Sequence, residues 1–348
     1  MAELEDLETE ALAVTAKVWG RYELLLADLD GVVYEGKSAI DGAPEVLGGY
    51  RAAGLPIGYV TNNSSRKAET IVEQLAGFGV AAEPHEVIGS AQTGVELLAT
   101  LVATGSKVYV VGGEGLRHWV QLGGFELVAS ADDKPDAVIQ GFAPDVAWRD
   151  LAEAAYAIQG GAKWVATNSD WTLPQDRGLA PGNGTLVSAV HTAVGQMAVV
   201  AGKPEPAIFN TALRVFGLDP QDAGQRAKAL FIGDRIDTDI VGANRAGLDS
   251  ALVLTGVSKR KDALAAKAGE RPTFILENLR ELRETYAAPK QTKRGFECLG
   301  AEVELLGTQV VLTQGDPKSI GALRAACATI WGSGKAIYTL QVDPELYS

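Results

Sequence analysis

The sequence predicts an α/β protein built on a doubly wound parallel sheet. Three observations carry that expectation. Short runs rich in Val, Ile and Leu alternate with longer stretches of helical spacing almost throughout. The short runs are apolar on both faces, and many end in Gly, Asp, Asn or Thr. Strands buried on both sides and joined by helices belong to a parallel sheet covered by helices.

The clearest strands are 22–27, 57–60, 107–111, 137–140, 164–166, 199–201, 229–232 and 251–254. Between them, 68–79 and 205–217 have helical spacing and a glycine at the end, where a helix needs a left-handed residue to stop. The pattern changes after Tyr286. Residues 287–294 are polar, contain Pro289 and read as a linker. Beyond it, 302–306 and 309–313 form a hairpin around Gly307-Thr308, 319–331 a helix and 335–342 a last strand. This ββαβ unit is too small to be stable alone, so it is expected to dock on the main body.

Length and charge bound the function. At roughly 150 residues per domain, 348 residues make two domains and a remainder. Hydrophobic residues are 47% and charged residues 22%, which excludes a disordered chain. Lys and Arg number 31 against 44 Asp and Glu, a net charge of −13. Such a chain is ill suited to nucleic acid or an anionic membrane surface, and neither is expected as a partner. Five of the acidic residues fall in the first ten positions. That acidic start has no apolar stretch for a signal peptide, and no apolar run approaches the roughly 20 residues of a membrane span. A cytoplasmic protein is expected. Cys298 and Cys327 are the two cysteines and imply neither a disulfide framework nor a zinc site.

Four stretches carry chemistry. Asp28-Leu-Asp-Gly-Val-Val-Tyr follows a strand, where the carboxyl ends of a parallel sheet form the ligand crevice. Carboxylates at i and i+2 can divide labour there, one attacking phosphorus and the other moving protons. The bland alternative is a turn. Gly31 to Ser38 also matches GxxxxGK[ST], but that loop must open into a helix at its Lys, and Gly42 and Pro44 follow too soon. A calcium loop from Asp28 fails, with Val33 where Gly is needed and Ala39 where Glu is needed. In Tyr59-Val-Thr-Asn-Asn-Ser-Ser-Arg, Thr61 and Asn62 can donate to phosphate oxygens, or the stretch caps a helix. In Ala201-Gly-Lys-Pro-Glu-Pro, Lys203 can neutralise a developing phosphoryl charge, or sit in an exposed loop. Phe231-Ile-Gly-Asp-Arg-Ile-Asp-Thr-Asp-Ile crowds Asp234, Asp237 and Asp239 together. Their repulsion calls for a cation, and hard oxygen ligands suit Mg²⁺. Asp234 is the better direct ligand; Asp239 suits a metal-bound water or Lys203.

In this order the four stretches resemble the motifs of the haloacid dehalogenase superfamily of phosphohydrolases, over roughly residues 22–282. DLDGVVYEG, VTNNSSR, ATNSDWTLPQDRG, PGNGTLVSA, AGKPEP and IGDRIDTDIVGA look like its NagD and p-nitrophenylphosphatase branch. The added C-terminal unit is most similar to actinobacterial glycerol 3-phosphate phosphatases. The resemblance implies a Rossmann-like core and assigns roles. Asp28 would attack phosphorus and form an aspartyl-phosphate. Asp30 would protonate the leaving alcohol, then activate water. Mg²⁺ would be held by the Asp28 and Asp234 carboxylates and the main-chain carbonyl of Asp30, with Asp239 behind them. Thr61, Asn62 and Lys203 would bind the transferring phosphoryl group.

Spacing refines the expectation. Only 33 positions separate Asp28 from Thr61, too few for a helical cap, whereas 141 residues lie between Thr61 and Lys203. The domains expected are therefore a discontinuous core of 1–89 and 196–286, an α/β cap of 90–195, and a linker and extension of 287–348. Asn168, Asp170, Thr172 and Arg177 are cap candidates for contact with the leaving group, against plain turn chemistry. Val111-Gly-Gly-Glu-Gly-Leu-Arg-His looks like a dinucleotide loop but places His118 where a small residue belongs, so strand–helix packing is the better reading. His85, His118 and His191 are scattered. The expected substrate is a small phosphorylated metabolite, glycerol 3-phosphate first, with 2-phosphoglycolate or another small phosphate as the alternative and p-nitrophenyl phosphate as an artificial one. A non-catalytic sensor of phosphometabolites is the alternative from another class. The extension reads as a nucleotide- or acyl-CoA-binding remnant, a homodimer contact or a lid on the main body. With no glycine-rich pyrophosphate loop after a strand, a structural or assembly role is expected.

Overall fold

The computed structural model describes residues 18–175 and 177–347; the acidic first ten residues lie outside them. The chain divides into two compact units, Met1–Ile57 with Gln221–Ser348, and Gly58–Pro220.

In the first unit, strands Phe274–Leu276, Asp249–Val253, Ala229–Gly233 and Leu24–Ala27 lie side by side in that order, all parallel. Every residue of Leu24–Ala27 and of Ala229–Gly233 is buried, as strands covered on both faces must be. The sequence pattern missed Phe274–Leu276, a strand of three residues.

The extension belongs to this unit and is larger than expected. Its five strands run Lys290–Gln291, Gly295–Cys298, Ala301–Leu306, Gln309–Gln314 and Gln341–Val342. The expected hairpin is present, with Leu306 opposite Gln309, and so is the helix, Ile320–Gly332. Residues 287–294, read as a linker, instead supply the edge strand Lys290–Gln291, paired antiparallel with Gly295–Cys298. A short, charged edge strand carries no hydrophobic alternation, which is how sheets blunt their edges and why the pattern was silent. The last strand shrinks to Gln341–Val342, because Ile337–Thr339 winds into a single 3₁₀ turn first.

Apolar burial joins the extension to the parallel sheet. Cys298, Val303, Val310, Ala322, Leu323, Cys327 and Leu346 share one core with Ile236, Ile240, Leu252, Ala263 and Leu264. Arg324 is 4% exposed within it. Its Nε donates to the Ile275 carbonyl at 2.9 Å, its guanidinium lies 4.2 Å from the Tyr286 ring centre, and it pairs with Glu281.

The second unit carries its own parallel sheet, in the order Val199–Val200, Lys163–Ala166, Ala137–Gln140, Lys107–Val111 and Glu126–Val128. Strand period decides what covers each face. Val108, Val110, Ile139 and Val165 pack under helices Ser90–Leu98 and Glu114–Leu122. Tyr109, Val111, Val138 and Trp164 pack under Trp148–Gln159 and Asn183–Val194. The strands Ile57–Thr61 and Val87–Gly89 pair in parallel. No helix among the described residues is long and apolar enough to cross a membrane.

Candidate active site

Asp28 is the first residue past the buried strand Leu24–Ala27, and its amide donates to the Ile232 carbonyl of the neighbouring strand at 2.8 Å. Gly31 then turns the chain with φ +81°, and a Cβ there would fall 2.5 Å from Asp234 Oδ2. Only glycine satisfies both demands. Tyr34–Glu35 and Ser38–Ala39 close a small antiparallel ladder, so no helix opens at Lys37 and the nucleotide-loop match is one of letters alone.

Strand Ala229–Gly233 delivers Asp234, 1% exposed, at its carboxyl end. The following Ile236–Ile240 is a single π-helical turn, a feature common at functional sites. It separates the two later aspartates. Asp237 points outward to Arg235, at 3.1 and 2.8 Å, and these bonds hold its carboxyl below its ordinary value although burial opposes them. Asp239 points inward and is fully buried. Its Oδ2 accepts from the Asp234 and Arg235 amides at 3.2 and 3.1 Å.

Carboxylate oxygens of Asp28, Asp234 and Asp239 lie within 4.8 Å of one another, all three residues buried. Three like charges so close and so poorly hydrated repel strongly, and an all-oxygen set of this kind fits a hard divalent cation. The Asp30 side chain is exposed and outside this group. A loop that sequence reasoning missed completes the surroundings. The Val257 amide donates to Asp234 Oδ2 at 2.6 Å and the Ser258 amide to the Asp234 carbonyl at 3.0 Å. Gly256 allows the approach, since a Cβ there would lie 1.9 Å from Asp234 Oδ2. The one available signal was a Thr-Gly pair directly after a strand.

The second unit gathers the other expected residues. Thr61 ends its strand and is 4% exposed; its Oγ1 accepts from the Asn63 amide at 3.1 Å. Asn62 clasps the Lys203 main chain: its Oδ1 accepts from the Lys203 amide at 2.8 Å, and its Nδ2 donates to the Lys203 carbonyl at 3.1 Å. The same Nδ2 donates to Asp170 Oδ1 at 3.0 Å. Lys203 is 3% exposed and its Nζ donates to the Val60 carbonyl at 3.3 Å, so it is no exposed loop lysine. Asn168 Nδ2 and Ser90 Oγ both donate to the Asn62 carbonyl, at 2.8 and 2.6 Å. Thr172 and Arg177 are exposed on the hairpin Thr172–Gln175 and Gly178–Pro181, apart from that network. Asn63, not Thr61 or Asn62, caps the following turn, accepting from the Ser65 and Arg66 amides at 3.0 and 3.2 Å. The start of helix Glu114–Leu122 is filled by the chain itself: the Gly115 amide donates to the Ser65 carbonyl at 3.2 Å. The dinucleotide-like glycines serve packing.

Residues 25–126 match a family described as haloacid dehalogenase-like hydrolase, and 200–282 match one described as HAD-hydrolase-like. The chain is 45% identical over 263 residues to the D-glycerol 3-phosphate phosphatase of Mycobacterium tuberculosis, covering 76% of this chain and 71% of that protein. This chain belongs to the haloacid dehalogenase-like hydrolases. Another member, the acid sugar phosphatase of Staphylococcus saprophyticus, is 35% identical over 75% of this chain and 96% of its own length. The crystal structure of the M. tuberculosis glycerol phosphate phosphatase in complex with magnesium superposes with a TM-score of 0.83, at 38% identity over 94% of each chain. A thermostable NPPase from Geobacillus stearothermophilus gives 0.67 at 33% identity, over 74% of this chain and 97% of that one. The parallel-sheet fold and these relatives make this haloacid dehalogenase-like hydrolase a phosphatase, as its four motifs led one to expect.

Proposed function

We propose that the protein is a Mg²⁺-dependent phosphomonoesterase that works through an aspartyl-phosphate on Asp28, with glycerol 3-phosphate as its substrate. The observation that carries this reading is the buried group of Asp28, Asp234 and Asp239 at the strand ends. The identity of 45% with a D-glycerol 3-phosphate phosphatase supports the substrate, and the magnesium complex of a related structure supports the ion.

In this proposal Asp28 and Asp234 would hold Mg²⁺, with Asp239 fixing the turn behind them. The bound ion supplies charge to offset the phosphate and the crowded carboxylates. An Asp28 oxygen attacks phosphorus as the bond from phosphorus to the ester oxygen breaks. Asp30, initially protonated, gives its proton to that leaving oxygen. The resulting Asp30 carboxylate then takes a proton from a water that attacks the aspartyl-phosphate, releasing inorganic phosphate and restoring both residues. Exposure of Asp30 and burial of Asp28 suit those tasks: one exchanges protons with water, the other is fixed for attack. Thr61 and Lys203 would bind the phosphoryl oxygens. The Asn62 side chain would act by holding Lys203, since both its Nδ2 protons already have acceptors.

The same reading treats 1–89 with 196–286 as the core, 90–195 as an α/β cap and 287–348 as the extension, in a cytoplasmic protein. Support for the cap comes from the separate sheet built of residues 107–200, though its edge strand Val199–Val200 reaches past the expected boundary. Asn168 and Asp170, tied to Asn62, are proposed to set the cap's contact with the leaving group, with Thr172 and Arg177 further out on the hairpin. A panel of phosphate esters tests the substrate. Glycerol 3-phosphate should give the highest kcat/KM, and preference for 2-phosphoglycolate or an acid sugar phosphate would move the assignment. Loss of turnover in EDTA with recovery in excess Mg²⁺ tests the ion, and a rate indifferent to both would remove it.

A further inference from the structure

The loop that grips Asp234 is itself gripped by the C-terminal extension. Thr255 Oγ1 donates to the Gly31 carbonyl at 2.6 Å, and Val257 and Ser258 donate to Asp234 as described. Ser258 Oγ accepts from the Ile236 amide at 3.0 Å, tying the loop to the π-helical turn that carries Asp239. Arg260 follows two residues later, at the start of helix Arg260–Ala265. Its guanidinium is committed to main-chain carbonyls of the extension. Nε donates to Leu346 at 3.1 Å, Nη1 to Lys318 at 3.1 Å, and Nη2 to Pro317 at 2.7 Å and Ser319 at 3.1 Å.

Four bonds from one planar fork fix the direction of Arg260 far better than a single ion pair would. Only Ser258 and Lys259 separate Val257 from Arg260, so a hold on Arg260 restrains the short loop that carries the Val257 amide. A second link runs through the core. Ile236 and Ile240, the ends of the π-helical turn, pack in one cluster with Val303, Ala322, Leu323 and Leu346 of the extension. The family matches stop at residue 282, so every carbonyl that holds Arg260 lies beyond them.

We propose that Arg260 is a positioning residue through which the C-terminal extension fixes the Asp234 loop and so sets the affinity of the core for its divalent cation. The proposal rests on the reading of Asp234 as a cation ligand. Loosening the loop lets the Val257 amide drift from Asp234 Oδ2, and the carboxylate then samples orientations that do not converge with Asp28 and Asp239. The consequence is weaker cation binding, with the chemistry intact once the ion is bound.

Titration calorimetry of the full-length protein with MgCl₂ alone, beside p-nitrophenyl phosphate turnover at graded Mg²⁺, tests this. Arg260→Ala should raise the Mg²⁺ Kd about tenfold, as loss of an outer-shell partner does, and shift half-maximal activation equally. Its kcat at saturating Mg²⁺ should stay within about twofold of wild type, and Arg260→Lys should recover part of the affinity. Arg271→Ala is the control: Arg271 lies 5.5 Å from the Trp331 ring of the extension and donates to the Trp331 and Ala266 carbonyls, neither of them a carbonyl that holds Arg260. It should leave Kd within about twofold. Unchanged affinity in Arg260→Ala overturns the proposal, as does an equal loss in Arg271→Ala, which would mean general loosening. If Arg260→Ala is unfolded by circular dichroism, an unchanged Kd in Arg260→Lys overturns it and a raised Kd supports it. Wild-type protein that binds no Mg²⁺ would strike the cation reading itself and the proposal with it.

Discussion

Two regions of the first unit are equally buried and differently made. At the strand ends, three aspartates between 0 and 8% exposed lie together, and the carboxylates of Asp234 and Asp239 accept from backbone amides and face glycines that leave them room. In the extension, a core of Val, Leu, Ala and Cys side chains is interrupted by one buried arginine. Burial stabilises the second region, because apolar surface leaves water there. It strains the first, where like charges are concentrated without hydration. Substitutions at the carboxylates should therefore harm function while sparing stability, and those in the extension should do the reverse.

Asp28→Asn is the largest break. Loss of the nucleophile should lower kcat on p-nitrophenyl phosphate by about 10⁴-fold or more, as removal of nucleophiles does elsewhere. The melting temperature without metal should hold or rise, since one of three repelling charges is gone. Wild-type turnover in this variant would refute the nucleophile assignment.

Arg324→Ala is the matching break in the extension. It leaves Glu281 half-buried with no guanidinium beside it, and breaking such a pair costs about 3 kcal/mol or more. The lower end is expected, because the Glu281 side chain keeps 20% of its surface exposed. Urea denaturation should show the loss, while kcat of the folded fraction stays near wild type. A large fall in kcat with unchanged stability would erase the contrast between the regions.

The contrast also explains what could be read from sequence. The placing of Asp28, Asp30 and Asp234 just past strand ends was legible because its signal is local: acidic residues and glycine directly after an apolar strand. The inward turn of Asp239 and the outward turn of Asp237 depend on a π-helical turn that composition does not announce. Asn62 and Lys203 were legible as polar residues at strand ends, but the clasp between residues 141 apart is tertiary. Val257 and Arg260 carried no signal, and Gly256 only that of a Thr-Gly pair after a strand, since what they do depends on a carboxylate and on carbonyls far along the chain. The extra strands of the extension were silent for another reason: Lys290–Gln291 is two polar residues, and Gly295–Cys298 offers only Phe296 and Cys298 as apolar side chains.

Gly256→Ala breaks the carboxylate region without touching a charge. The added methyl would sit 1.9 Å from Asp234 Oδ2, so either the carboxylate or the loop must move. Mg²⁺ affinity should fall about 10- to 100-fold, the range for disturbed support of a metal ligand. Calorimetry with MgCl₂ measures it. Unchanged affinity would show that Asp234 has slack, contrary to the bonds that hold it.

The smallest effect concerns the sign of a pH slope. Burial raises the Glu281 carboxyl above its ordinary value of 4.5, outweighing the Arg324 guanidinium beside it. As pH rises from about 4.5, the unfolded chain releases this proton first and the folded protein keeps it longer. Through that window the folded state binds more protons, so this residue's contribution to stability falls with rising pH and levels off above the folded value. Glu281→Gln removes the slope. The stability of wild type minus that of Glu281→Gln, from urea curves at steps between about pH 4 and 7, should therefore decrease as pH rises. An increase would mean that attraction to Arg324 outweighs burial, making the pair a net electrostatic gain. The buried group at the strand ends brings three carboxylates within 4.8 Å of one another and is assigned a cation, whereas the single Glu281 carboxylate faces an arginine.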